Sequence, residues 1–271
     1  MNSTIKTLVI ALAVGLCASG AFAAATASDT AANYSGGWSA STTPNLGSGF
    51  GAWSVSDNNA NPPYAGTYLD LASYSNPDTV LSGGYAWGLY ANGANNAFMT
   101  LSRAFNTGGG SASLVDQTFS FAFGSSSSSD FPNSYQSVVM GIGSAFSLSY
   151  IGGGADNMTL SVDGGTANPI TVNAAQMAAG INVALTVTGP VSSPTEGYSL
   201  VISPFAGGSA LYSSTGTFDS STYDTSSFSV TITDPANNQY LNNLSIVPEP
   251  SSMVMLGFAS LASLLAIRRR K

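Results

Sequence analysis

The stretch Gln117-Thr118-Phe119-Ser120-Phe121-Ala122-Phe123 decides the fold. Three phenylalanines alternate with Thr118, Ser120 and Ala122. Successive side chains of an extended chain point to opposite faces, so this spacing places three rings on one face and small groups on the other. A helix of 3.6 residues per turn would scatter the same rings around its circumference. The period of two recurs outward from there. Phe146, Leu148 and Tyr150 interleave with Ser147 and Ser149, and Met158, Leu160 and Val162 follow. Val183, Leu185 and Val187 interleave with Asn182, Ala184 and Thr186; Tyr198, Leu200 and Ile202 repeat the pattern, as do Phe228, Val230 and Ile232. Further strands are expected at residues 50–55, 85–90, 97–105, 137–142, 210–217 and 240–246. Between residues 29 and 247 no 3.6-residue apolar period is sustained, and only residues 174–179 tolerate one or two helical turns.

Turn formers punctuate these runs: Asp57-Asn58-Asn59, Asn61-Pro62-Pro63, Asn76-Pro77-Asp78, Gly108-Gly109-Gly110, Gly152-Gly153-Gly154, Asp163-Gly164-Gly165 and Asp234-Pro235. Eleven or twelve short strands, each with one apolar face, predict an all-β chain with two antiparallel sheets packed as a sandwich. No charge run, long linker or fixed-period repeat divides the body, and the five serines at 125–129 fit a loop. The expected organisation is a signal peptide at 1–23, a flexible leader at 24–44, a sandwich domain at 45–246 and a C-terminal signal at 247–271.

Composition narrows the chemistry. Only 7% of the 271 residues are charged, against roughly 25% in ordinary soluble domains. Histidine is absent and Cys17 is the single cysteine, which excludes a Ser-His-Asp triad, a Cys-His pair and a His-ligated zinc. Residues 24–247 hold one basic residue, Arg103, against twelve acidic ones, a formal charge of −11. Such a body repels phosphate backbones and anionic lipid, so no nucleic-acid partner is expected.

Both ends read as targeting segments. Lys6, the apolar run at 8–16 and Ala21-Phe22-Ala23 form a basic region, a short apolar core and an A-x-A cleavage site. Export by the Sec machinery and cleavage after Ala23 by signal peptidase are therefore expected, leaving a chain without cysteine and hence without disulfides. At the other end Val247-Pro248-Glu249-Pro250 precedes an uncharged span at 253–267 and the basic tail Arg268-Arg269-Arg270-Lys271. A helix of that span is about 22 Å long, short of the ~30 Å hydrocarbon core, and the four cations would stop in the cytoplasm. It reads as a transmembrane helix that is either a plain anchor or part of a sorting signal.

Val247, Pro248, Glu249 and Pro250, the short span rich in Gly, Ala and Leu, and the terminal Arg268, Arg269, Arg270 and Lys271 together resemble the PEP-CTERM sorting signal of Gram-negative bacteria. The resemblance covers residues 247–271. It implies an exosortase, a polytopic membrane enzyme, as partner, with cleavage near Pro-Glu-Pro. The chain would cross the inner membrane, be anchored there transiently, and then reach the cell surface or extracellular matrix. Extracellular polysaccharide is the associated product. The body has a looser resemblance. The order Ala86-Trp87-Gly88-Leu89-Tyr90-Ala91, Arg103-Ala104-Phe105, Gln117-Thr118-Phe119-Ser120-Phe121, Gly141-Ile142-Gly143, Tyr198-Ser199-Leu200-Val201-Ile202 and Asn242-Asn243-Leu244-Ser245-Ile246 is similar to secreted jelly-roll sandwiches of concanavalin A-like type. That fold hosts lectins, glycosidases and adhesion modules, so it does not decide function.

The body offers few candidate groups. A glycoside hydrolase needs paired carboxylates, but Glu196 is the body's single Glu and reads as a turn residue, while Asp219 and Asp224 read as solvated turn acids. No catalytic residue is expected, and the chain is read as a non-enzyme. Calcium is the one conceivable metal, through Asp57 with Asn58 and Asn59, or through Asp156 and Asn157 with Asp163, although neither cluster has EF-hand spacing. Arg103 shares strand parity with Met99, Leu101 and Phe105 and is expected inside, paired with an Asp. Trp38, Trp53, Trp87, Tyr64, Tyr68, Tyr74 and Tyr85 are either core and rim or platforms for sugar rings. The expected function is a structural or adhesive surface or matrix protein linked to exopolysaccharide. The alternatives are a lectin-like carbohydrate-binding module and, less favoured, a glycan hydrolase.

Overall fold

The structure, a computed structural model, describes residues 26–40, 45–58, 65–71, 80, 83–92, 97–106, 113–153, 157–192, 194–236 and 238–249. The strands in chain order are β1 Ala27–Asp29, β2 Ser54–Asp57, β3 Ala65–Leu71, β4 Tyr85–Ala91, β5 Phe98–Ala104, β6 Gln117–Ser125, β7 Ser137–Ile142 and β8 Phe146–Ile151. They continue as β9 Asn157–Val162, β10 Asn168–Asn173, β11 Ile181–Ser192, β12 Thr195–Pro204, β13 Tyr212–Asp219, β14 Ser227–Thr233 and β15 Gln239–Pro248. The one α-helix among the described residues, α1 Ala174–Ala178, opens with a reciprocal cap: Asn173 Oδ1 accepts from the Gln176 amide, and Gln176 Oε1 accepts from the Asn173 amide.

All-β architecture and two stacked antiparallel sheets emerge as the alternation predicts. In the first sheet β15 takes β6 along one edge, and β4 and β1 along the two halves of the other, with β3 outside β4. β11, β12 and β13 form an antiparallel ribbon beside β6. The second sheet runs β10-β9-β8-β7-β14-β5-β2. Aromatic contacts join the layers. Phe119 and Phe121 on β6 meet Phe228 on β14 at ring-centroid distances of 5.3 and 4.6 Å, and Phe146 on β8 meets Tyr198 on β12 at 5.0 Å and Phe218 on β13 at 5.1 Å. The three rings that decide the fold are each at most 1% exposed.

Three strands escaped the alternation. In β3 the outward-facing Asp70 is itself buried, so the polar face does not read as solvent. β10 carries only Ile170 and Val172 inward, beside Pro169 at a sheet edge. β1 lies where a flexible leader was expected. That expectation is corrected: Ala27, Ser28 and Asp29 pair with Ile246, Ser245 and Leu244, and a 3-10 turn at Ala31–Tyr34 buries Ala31 and Tyr34. The compact body accordingly comprises Ala25–Pro248 rather than residues 45–246. Residues 1–23 and 251–271, including Ala21, Ala23, the expected span at 253–267 and the basic tail, lie outside the described residues. No helix among the described residues is long and apolar enough to cross a membrane.

The leader is ordered because Arg103 needs it. Arg103 sits inward on β5, as its parity with Met99 and Leu101 predicts, and its Nη1 donates to Asp29 Oδ2 at 2.6 Å. Its Nε and Nη2 donate to the Gly51 carbonyl at 3.1 and 2.9 Å, and Nη2 also donates to Asn45 Oδ1. The rings of Phe50 and Trp53 flank the guanidinium at 4.7 and 4.4 Å. Asp29 also accepts from the Thr30 amide, Asn33 Nδ2 and the Tyr34 hydroxyl. Both charged side chains are fully inaccessible. Replacing Arg103 by Met strands a buried carboxylate and should cost about 3–5 kcal/mol, whereas Arg103→Met with Asp29→Leu should recover most of that. Urea unfolding midpoints of the single and double variants measure the coupling; strictly additive losses would show that the pair does not act as a unit.

Candidate functional site

The outer face of the first sheet carries the side chains that alternate with the core. Along β6 these are Thr118, Ser120 and Ala122, along β11 Asn182, Ala184 and Thr186, and along β12 Val201 and Ser203. β6 and β11 lie side by side without a backbone ladder. They are stitched by the Thr118 and Thr186 hydroxyls at 2.7 Å and an isolated bridge from Val115 to Val187. Beside them β15 bulges. Its register on β6 shifts between Asn242 and Ser245, with Asn243 in the left-handed region at φ 52°. The two irregularities open a cleft of about 500 Å³ between β1, β15, β6, β11 and β12. Its lining is mostly apolar, from Phe121, Val183, Ala184, Val201 and Leu244, and carries neutral hydroxyls and amides from Ser28, Ser120, Asn182, Ser203 and Asn243. Asp29, its one ionisable lining residue, is already bound to Arg103. Such a surface offers neutral donors and acceptors to a neutral polyhydroxylated ligand and no opposing charge to an ionic one.

The structure sorts the residues that the sequence singled out. Trp38, Trp53 and Trp87 are not a sugar platform. They form one buried cluster, with ring centroids 6.2, 5.3 and 6.1 Å apart, and are 7, 7 and 0% exposed. They fill the core beside Arg103. Tyr68 and Tyr85 are half-buried, while Tyr64 and Tyr74 lie outside the described residues. Glu196 is not a turn acid. It lies in β12, 9% exposed, opposite Phe218. Asp219 and Asp224 are turn acids as expected, their pKa values lowered by hydrogen bonds from Ser221 and Ser226 respectively.

The two alternative calcium clusters occupy separate places in the fold. Asp57 ends β2, exposed, and lines a separate cavity of about 330 Å³ with Ser39, Thr67 and Tyr90. Asp163 follows β9 with φ 57°; one carboxylate oxygen accepts from the Asp219 amide at 3.1 Å and the other is buried without a hydrogen bond. Five strand steps of the second sheet separate β9 from β2, roughly 24 Å at ~4.8 Å per step. Asp156 lies outside the described residues. Among those described, no three His, Cys, Asp or Glu residues come together.

Sequence reasoning missed Asp70. It faces outward from β3, 3% exposed, with Oδ2 unpartnered, near the hydroxyls of Tyr68 and Tyr240. The Tyr68 ring lies over Gly88 on the neighbouring strand, where any Cβ would strike it. The Tyr68 hydroxyl accepts from Asn238 Nδ2 at 2.7 Å, and the Tyr240 hydroxyl is buried beside it. The signal was available in the Tyr-Leu-Asp spacing, which puts Tyr68 and Asp70 on one face. Burial raises the Asp70 pKa from its usual 3.8, because it penalises the charged form. The stability that the neutral carboxyl permits is full below that usual value and is lost as pH rises through the raised one. Asp70→Asn should therefore melt with the parent at roughly pH 3 and above it at pH 7, by about 2–4 °C for each kcal/mol recovered. A difference in melting temperature that ignores pH would contradict this reading.

Residues 247–271 match the PEP-CTERM protein-sorting motif, which covers the terminus alone. No curated protein matches the chain at a significant level. Among solved structures the body is similar to the GH131 beta-glucanase catalytic domain from Podospora anserina, at 16% identity and a TM-score of 0.43, over 66% of this chain and 78% of that one. It is similar to TmCBM61 in complex with beta-1,4-galactotriose, at 11% identity and a TM-score of 0.27, over 73% and 88% of the two chains. A third is the botulinum neurotoxin serotype D/C VPI 5993 binding domain, at 12% identity and a TM-score of 0.37; there the match covers 73% of this chain and about half, 48%, of that one. Likeness at this distance assigns no residue and no activity. The C-terminus of the chain is a PEP-CTERM sorting motif, which implies export and processing by an exosortase.

Proposed function

We propose that this chain is an exported, exosortase-processed protein of the cell surface or extracellular matrix, with a structural or adhesive role linked to exopolysaccharide. The observation that carries this reading is the match of residues 247–271, with Pro248-Glu249-Pro250, an apolar span and a basic end in sorting order. The tail is a processing signal rather than a permanent anchor. Its span is short for a ~30 Å bilayer, and Gly257, Ala259, Ser260, Ala262 and Ser263 lower its hydrophobicity further. The Arg268-Arg269-Arg270-Lys271 end resists translocation and fixes the depth of the motif. Replacing Pro248-Glu249-Pro250 by three alanines should leave full-length protein in the inner membrane, read by fractionation and mass spectrometry. An intact Arg268–Lys271 end on mature wild-type protein would show that the tail only anchors.

A second reading, a lectin-like binding module, is favoured by the cleft of about 500 Å³, whose lining sets neutral hydroxyls and amides among apolar side chains. The body acts by binding rather than by catalysis in both readings. The purified body should retain neutral glycans on an array without releasing reducing sugar. Ala184→Trp, which fills the cleft from β11, should cut retention at least about tenfold, a loss of ~1.4 kcal/mol, with melting unchanged. Retention that ignores Ala184→Trp places binding elsewhere, and release of reducing ends would make the chain a hydrolase.

A further inference from the structure

The sorting motif does not begin where the fold ends. Val247 and Pro248 are its first two residues and also the last two of β15, where they pair with Thr118 and Gln117 of β6. Just before them, β15 is held along both edges. Ser245 and Ile246 pair with Ser120 and Phe119 on one side and with Ser28 and Ala27 on the other. The Thr26 amide adds a bond to the Ile246 carbonyl at 2.8 Å. Leu244 and Ile246 point into the core and are 1 and 0% exposed. A protease takes several residues on each side of the bond it cuts as an extended strand bound in its own cleft. Residues 244–246 cannot be lent to such a cleft without opening both ladders and exposing two core side chains. Pro248 has no N–H to continue the ladder, so pairing stops there and the chain leaves the sheet.

We infer that the sorting cut falls C-terminal to Pro248 and is made with the body folded, so that β15 survives whole in the mature protein. The inference rests on reading residues 247–271 as a processed signal. In the step, one peptide C–N bond beyond Pro248 breaks; water supplies a hydroxyl to the acyl carbon and a proton to the amine of the departing tail. The enzyme therefore takes the part of the motif beyond the ladder, from Glu249 onward, and the folded body sets how much of it is free.

A disulfide staple tests this. Ser120 and Ser245 are directly opposed on the outer face, with hydroxyls 2.8 Å apart, a placement suited to a cross-strand disulfide. Cys17 is the chain's single cysteine and lies ahead of the expected Ala23 cleavage, so the engineered pair has no competitor. The full chain carrying Ser120→Cys and Ser245→Cys is expressed in an exosortase-bearing Gram-negative host beside the wild type and each single variant. Non-reducing gels report the staple and intact mass reports the terminus. The expected result is a mature C-terminus at residue 248 or beyond and no loss of processed product on stapling. A mature terminus upstream of 248 overturns the inference. So does full-length protein that accumulates only in the stapled chain while both single variants are processed. Retention of Arg268–Lys271 in the wild type is a different failure, because it removes the sorting reading itself and leaves no cut to place.

Discussion

Arg103 carries the one positive charge between residues 24 and 247, and it is fully buried. Removing a guanidinium from water is expensive, and its partner must repay that with short, well-aimed bonds. Asp29, the Gly51 carbonyl and Asn45 supply them, and the guanidinium packs on the rings of Phe50 and Trp53. The consequence is topological. Arg103 belongs to the second sheet, whereas Asp29 belongs to β1 of the first and Gly51 to the approach to β2. One ion pair therefore fastens the two layers and the N-terminal segment at a single point. In a body otherwise stacked by apolar contact, which is indifferent to small slips, a directional buried pair fixes which residues face one another.

Most of the sandwich was legible because alternation needs only one buried face. The strands at β6 to β9, β11, β12 and β14 announce themselves wherever core residues alternate with Ser, Thr or Asn. Legibility fails where the other face is covered too. Ala86, Ala122 and Tyr240 face outward yet are buried in a cluster with Val80 and Phe205, and Asp70 is buried on the same outward side, so β3 loses its polar rhythm. It fails again where length is short, as in β1, whose three residues carry no period at all. Asp29 shows the deeper limit. The sequence predicts that Arg103 needs an Asp, but twelve acidic residues compete and spacing along the chain says nothing of distance in the fold. The candidate cleft was illegible for the same reason. It arises from a missing ladder between β6 and β11 and a bulge in β15, and neither is written in residue types.

The outer face shows what a chain with few charges can do at a surface. Its cleft has no free carboxylate and no cation among the described lining residues, so any neutral ligand there would meet hydroxyls, amides and apolar side chains and would displace water. Such contacts are individually weak and are screened little by salt, since no net charge is exchanged. The acidic turns, Asp219 and Asp224 among them, stand instead at loop tips, where their hydrogen bonds are local and order the turn rather than a ligand.

The order of export gives the topology a further meaning. β15 is the last strand among the described residues and also the centre of the first sheet, since β1, β4 and β6 all pair with it. Until residues 239–248 have crossed the membrane, β1 has no partner ladder and Asp29 has no fixed place beside Arg103. The first sheet therefore closes only after the last residue of the body has emerged, when contacts of more than two hundred residues' separation, such as Thr26 to Ile246, can form. At that moment the Pro-Glu-Pro segment is the next to appear. Completion of the fold and exposure of the sorting motif thus fall at the same point in translocation. The strand that locks the body is also the strand that ends in the motif.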